Sequence, residues 1–239
     1  ILSFDCDTEK DFEVVGDVHA RLNDLGIMPA YAVPGELLER GEASYLKVRE
    51  TGAEFLNHGY AEHTIFDAKK NEYECTLYYH LLNNDAVRRD VELGHAAVER
   101  VLGEAPEGFR TPHFGSYQKP EELSFLHSVL KGLGYLYSTS TIPLYGLRYG
   151  PIFEHFGVTE IPVTGCYRWP ATILDSYTFR FSSSDKFTPK SFKEEILALT
   201  ERFEETQEPF LINIYADPSQ VYDWPDFFES MAGLAKYNF

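Results

Sequence analysis

Short apolar runs, each breaking off at a polar or charged residue, alternate along this chain with stretches of helical periodicity. That alternation is the strongest constraint on its fold, because strands separated by helical crossovers pair in parallel within one sheet. Ile1 to Phe4, Met28 to Val33, Ala53 to Leu56, Gly108 to Thr111 and Phe210 to Tyr215 read as strands, and Tyr135 to Ser138 and Glu160 to Val163 as extended. Val14 to Leu25, the stretch up to Thr51, Asn84 to Leu102, Leu123 to Leu133, Ser191 to Glu205 and the end from Pro225 read as helices. In the clearest of these, Val87, Val91, Val98 and Leu102 recur on one face, with Asn84 placed to cap the start and Gly103 to end it. Ser191 and Glu194 stand at capping-box spacing. Residues 141–190, richer in aromatics, Gly, Pro and Ser, read as long loops over one end of a barrel. The expectation is one α/β domain spanning residues 1–239, a length that barrel-like domains commonly reach.

The formal net charge is -17, which excludes nucleic acid and anionic membrane as natural partners, since both need clustered Lys and Arg. A neutral or cationic substrate is compatible with it. No apolar run approaches the ~20 residues of a membrane span, and no signal-peptide pattern opens the chain. Cys6, Cys75 and Cys166 are too few and too scattered for a disulfide framework, and no Cys-x-x-Cys pair suggests a zinc knuckle.

The polar residues that end the strands carry the chemistry. In barrels of this kind, reacting groups sit in the loops after the strand C-termini. Asp5, Asp7, His58, Arg110 and Asp217 all fall there. Asp5 and Asp7, two apart in an extended segment, face one side, and two acids that close call for a cation or an arginine to divide their roles. His58 and His63 are the best metal candidates among the eight histidines, since imidazole plus carboxylate is a usual catalytic zinc set. They are five apart, so a loop has to bring both inward, and Glu62, four from His58, is a rival third ligand. His19, His95 and His127 lie in predicted helices and read as packing or surface residues, while His80 and His155 have no evident partner. Arg110, held extended ahead of Thr111-Pro112, can pair with Asp5. Asp217-Pro218 ends the last strand, where Asp217 projects into the same end of the barrel as Asp5.

Taken in order, Phe4-Asp5-Cys6-Asp7, Asn57-His58 through His63, and Gly108-Phe109-Arg110-Thr111-Pro112-His113-Phe114-Gly115 resemble the motifs of the polysaccharide deacetylase superfamily, carbohydrate esterase family 4. The similarity runs over nearly the whole chain, and the Arg-x-Pro segment is its most specific piece. The resemblance implies a distorted (β/α) barrel, seven-stranded rather than eight. It implies a divalent metal, usually zinc, on Asp7, His58 and His63, with Asp5 as general base and Arg110 orienting it. The backbone N–H of His113 would face the oxyanion. It further implies hydrolysis of an acetamide on an amino sugar or polysaccharide, the metal polarising the carbonyl and activating water. Two departures stand out. The family's histidines are four apart where these are five apart, and the place of its last histidine reads Tyr215-Ala216-Asp217-Pro218, with no histidine after His155. Asp217 is nearest to that place, but an aspartate donates protons at neutral pH only if burial or a nearby acid raises its pKa; Tyr215 is the other candidate.

Three readings follow. The chain removes N-acetyl groups from a carbohydrate, or hydrolyses a non-sugar amide such as a cyclic imide or formamide on the same fold, or binds carbohydrate with catalysis lost. Trp169 and Tyr215 are substrate-contact candidates, with Tyr167, Tyr177 and Trp224 as further aromatic faces, and Asp175 is a candidate support for a catalytic group. An extracellular or envelope setting and a cytoplasmic one both stay open, and the aromatic loops leave room for a homo-oligomer.

Overall fold

The computed structural model describes residues 1–70 and 72–237. Ten strands and ten helices follow one another along it: β1 (Leu2–Asp5), α1 (Glu9–Asn23), β2 (Ala30–Val33), α2 (Gly35–Arg40), α3 (Glu42–Arg49), β3 (Phe55–Asn57), β4 (Thr64–Asp67), β5 (Glu72–Cys75), α4 (Asn84–Leu102), β6 (Gly108–Phe109), α5 (Pro120–Leu133), β7 (Tyr137–Ser138), α6 (Pro143–Tyr149), β8 (Phe153–His155), β9 (Val158–Glu160), α7 (Ser176–Phe181), α8 (Pro189–Thr206), β10 (Ile214–Ala216), α9 (Pro218–Val221) and α10 (Pro225–Leu234).

The main sheet has eight strands in the order β10-β1-β2-β3-β6-β7-β9-β8. All of its neighbours pair in parallel except β8, which runs antiparallel to β9 at the edge. The expected seven-stranded barrel is thus present as seven parallel strands with one antiparallel edge strand added. The sheet curls, and side chains bridge the gap between its ends: the Asn213 amide donates to Ile161 O and Pro162 O at 3.0 and 3.2 Å, and Thr164 N donates to Asn213 O at 2.8 Å. A lone parallel bridge between Asp175 and Tyr215 covers the free side of β10. The pair β4–β5 forms a separate antiparallel hairpin.

Burial follows from the apolar faces. Leu2 and Phe4 of β1, Tyr31 and Val33 of β2 and Phe55 of β3 pack with Val15, Val18 and Leu22 of α1 and Phe227 and Met231 of α10. Phe109 anchors a second cluster with Val91 of α4, Leu126 and Leu130 of α5, and Tyr135. Helix starts are set by caps that periodicity does not reveal. In α1, Asp11 reaches back to the Thr8 N–H at 2.9 Å, which starts the helix five residues before the apolar pattern. In α4 the capping residue is Asn83, not Asn84, and in α8 the reciprocal pair is Thr188 with Ser191, so Ser191 sits inside the helix and Glu194 takes no part. Gly103 ends α4 in a left-handed conformation as expected.

His127 and His155 are not isolated. Fully buried Glu160 accepts the N–H groups of Ser140 and Thr141, each at 2.8 Å, and faces His127 Nε2 at 3.1 Å. His127 Nδ1 in turn lies 2.6 Å from His155 Nδ1, so this chain of groups ties α5 to both strands of the β8–β9 hairpin. Burial pushes the Glu160 carboxyl up, but its hydrogen bond with His127, the charge of that ring and donors from Ser138 and Ser140 outweigh this and hold it below the usual range. Its contribution to stability is therefore intact above the unfolded carboxylate pKa of about 4.3 and is lost as pH falls through the depressed folded value. Glu160→Ala strands His127 and two backbone donors, and is expected to destabilise the fold by about 3 kcal/mol or more in urea unfolding; a loss under about 1 kcal/mol would show that the cluster is not a structural anchor.

Candidate metal and catalytic site

Register brings the polar strand ends to one level. Phe4 pairs with Ala216, so Asp5 and Asp217 are the next residues on adjacent strands. Asn57 pairs with Phe109, which sets His58 beside Arg110, and Arg110 N donates to Asn57 O at 3.0 Å. All four stand at the C-terminal edge of the sheet, where parallel strands open their loops.

The Arg110 side chain is fully buried and every part of its guanidinium is used. Nη1 donates to Asp5 Oδ1 at 2.6 Å, Nη2 to Ser3 Oγ at 2.7 Å and Thr139 Oγ1 at 3.2 Å, and Nε to Thr139 O at 3.3 Å. The rings of Phe114 and Tyr215 lie 5.3 and 5.4 Å from it. Asp5 is left with Oδ2, which points toward His58 Nε2 at 3.8 Å.

Asp7, His58 and His63 form a group whose ligand atoms all lie within 4.8 Å of one another. Asp7 Oδ1 is 3.3 Å from His58 Nε2 and 3.0 Å from His63 Nε2. A tetrahedral ion with bonds of about 2.0–2.1 Å spaces its ligands by about 3.3 Å, so the two carboxylate–imidazole separations stand near what a small divalent ion requires. His58 Nδ1 donates to Arg110 O at 2.8 Å, which leaves Nε2 as the ring atom that faces Asp7. His63 has no such support: its Nδ1 is buried without a partner among the described residues. Burial pushes the Asp7 carboxyl up, yet the charge of His63 and hydrogen bonds from both imidazoles hold it well below the usual carboxylate range. The residues present fit a divalent ion.

The five-residue spacing works because the intervening loop is templated. Gly59 takes a φ of 79°, and a Cβ there would meet Asp90 Oδ2 at 2.4 Å. The Asp90 carboxylate, presented by α4, accepts the N–H groups of Tyr60 and Ala61 at 3.1 and 2.9 Å and the Tyr79 hydroxyl at 2.6 Å. Glu62 turns outward to Arg40 at 2.8 Å, so the rival third ligand is away from the group.

A cavity of about 230 Å³ opens over these residues. Asp5, Asp7 and Asp217 reach it, and Tyr73, Tyr78, Phe114, Tyr177 and Tyr215 wall it. The β4–β5 hairpin supplies Tyr73 and the exposed free thiol of Cys75, a wall that no strand pattern in the sequence announced. Trp169 does not line the cavity; it packs edge-on against Phe187 at 5.3 Å, at the margin of the core, and Trp224 is buried in that core. His113 holds a φ of 60°, and its Nε2 donates to His63 O at 3.1 Å, bracing the ligand loop from above. Burial, with His63 beside it, pushes the His113 imidazole down to about 4, so the ring is neutral.

Asp217 differs from Asp5 in its partners. No cation pairs with it among the described residues. Burial, with Asp11, Asp7, Asp5 and Asp175 around it, pushes its carboxyl well above the usual range. Asp175 caps α7 through Thr178, and burial raises it to about 7.

No protein-family model matches the chain, and no curated protein matches it. Solved structures do. A Mycobacterium smegmatis protein assigned to the polysaccharide deacetylases superposes with a TM-score of 0.65 at 15% identity, over 99% of this chain and 85% of that one. A family 4 carbohydrate esterase from Streptomyces lividans, solved with acetate, gives 0.58 at 13% identity over 98% and 88%. A pseudoenzyme of the same esterase family from Bacillus anthracis gives 0.57 at 10% identity over 100% and 62%. The chain has the fold of the family 4 polysaccharide deacetylases.

Elemental analysis of purified protein incubated with zinc tests the ligand group. Near-stoichiometric metal is expected in the wild type and in Glu62→Ala, and its loss in His63→Ala; retention in His63→Ala would remove that residue from the site.

Proposed function

We propose that this chain is a metal-dependent hydrolase that removes N-acetyl groups from an amino sugar or polysaccharide. The observation that carries the reading is the Asp7/His58/His63 group, whose Asp7 borders one cavity together with Asp5, a carboxylate held by a buried arginine. Two imidazoles and one carboxylate suit zinc. When bound, the ion supplies Lewis acidity that polarises an acyl carbonyl and eases deprotonation of water.

The protein's own groups divide the remaining work. Arg110 occupies Asp5 Oδ1 and holds that side chain in orientation, so Oδ2 can accept the proton of the attacking water. The His113 backbone N–H is the donor for the oxyanion of the tetrahedral intermediate. As the C–N bond breaks, its electron pair stays on nitrogen, and Asp217, protonated because no cation offsets its burial, gives up its proton to the leaving amine. Acetate and a free amine result. Tyr215, on the wall beside Phe114 and Arg110, would contact the sugar.

The absence of a histidine after His155 favours a second reading, a carbohydrate-binding protein without catalysis. A non-sugar amide on the same site is the third. Acetate release from N-acetylated sugar oligomers by the metal-loaded protein separates them. Turnover is expected, reduced at least about 10²-fold in Asp5→Asn. It should fall as pH rises through the raised Asp217 pKa. Binding of the same oligomers without acetate release would establish the binding-protein reading instead.

A further inference from the structure

Asp217 is gripped on one side only. Its backbone N–H donates to Ser176 Oγ at 3.0 Å. The Ser176 hydroxyl donates to Gln220 Oε1 at 2.7 Å, and the Gln220 amide N–H donates to Asp217 Oδ2, closing a ring of three residues. Ser176 and Gln220 are both buried. In the amide orientation present, Ser176 Oγ accepts from the Asp217 backbone and gives its single hydrogen to Gln220 Oε1, with the Gln220 NH₂ facing Asp217. Oδ2 is therefore an acceptor and cannot carry the acid proton. Oδ1 has no partner among the described residues, and Asp217 borders the cavity.

The partner is also electrically neutral. Asp5, one strand away, is paired with a guanidinium. An amide gives Asp217 directional bonding without a full charge.

We propose that Gln220 and Ser176 are positioning residues for proton donation: they pin Asp217 Oδ2 as an acceptor and so place the acid proton on Oδ1, toward the leaving nitrogen. This rests on the reading of Asp217 as the proton donor. In the step, the Oδ1–H bond breaks as the C–N bond electrons pass to nitrogen. The amine leaves neutral, Asp217 is left as carboxylate, and the proton that water gave to Asp5 restores the balance through solvent. A merely structural role is the competing account, because Asp217 and Gln220 stand at the first and fourth positions of a helix-capping pattern at the start of α9.

The two accounts part on the leaving group. 4-Nitrophenolate departs without protonation, while an alkylamine does not. Zinc-loaded wild type, Gln220→Leu and Ser176→Ala are to be compared on an N-acetylglucosamine oligomer and on 4-nitrophenyl acetate. The expected result is a kcat on the acetamide lowered about 10- to 100-fold with KM little changed, and a rate on the ester within about threefold of wild type. Equal losses on both substrates, or no loss on either, overturn the proposal. Ser176→Ala removes one hydroxyl and keeps the comparison available if Gln220→Leu does not fold. Wild type inert toward both substrates would fail at the hydrolase reading itself and take this inference with it, whereas an active wild type with unaffected variants would fail only here.

Discussion

The Arg110–Asp5 pair is the interaction on which the rest of the molecule depends. A guanidinium with no solvent exposure is costly to bury, and an ion pair alone seldom repays the cost. The structure meets it by spending the donors on β1 through Ser3 and Asp5 and on the end of β7 through Thr139, while the Arg110 backbone carbonyl orients His58. One residue thus joins the first, fourth and fifth of the sequential parallel strands and sets the tautomer of His58, a candidate ligand. An apolar residue of similar volume would serve stability as well or better. A charged one makes sense where a carboxylate has to be held in a fixed orientation inside the protein.

From that pair the division of labour among the acids follows. Asp5, Asp7 and Asp217 share one rim, and three ionised carboxylates could not stand there together. Each is distinguished by its company. Asp5 has the arginine, Asp7 has two imidazoles, and the Asp217 carboxyl has an amide. Sites that assign acid and base roles to like groups do so by giving them unlike environments.

Much of this was legible in the sequence, and the reasons for the rest are physical. Strand ends were readable because an apolar run that stops at Asp or His is a local signal; hence Asp5, Asp7, His58, Arg110 and Asp217 could be named together. The inward turn of His63 could not be read, because it depends on Asp90, 27 to 32 residues away in the chain, whose carboxylate shapes the loop around Gly59. The β4–β5 hairpin escaped because its strands carry mixed polar residues and bury little. Trp169 was misplaced for the opposite reason: an aromatic ring fits a core margin as well as a sugar face, and sequence does not say which. Helix starts moved wherever a side chain three residues inside, such as Asp11 or Ser191, reached back to the cap.

An aspartate at the place where the resemblance leads one to expect a histidine reads as a loss only if both groups respond alike to burial, and they do not. Burial disfavours the charged form of each. For an imidazole the charged form is the donor, so burial removes donor ability. In this cavity His113 is pushed down to about 4. For a carboxyl the neutral form is the donor, so burial creates donor ability, and Asp217 moves the other way. A histidine donor at the rim needs a carboxylate partner to hold its proton, and the buried acid at hand, Asp175, is itself raised to about 7 and occupied at the start of α7. The same burial that favours a neutral imidazole at His113 favours the protonated form of Asp217, whose carboxyl meets a neutral amide.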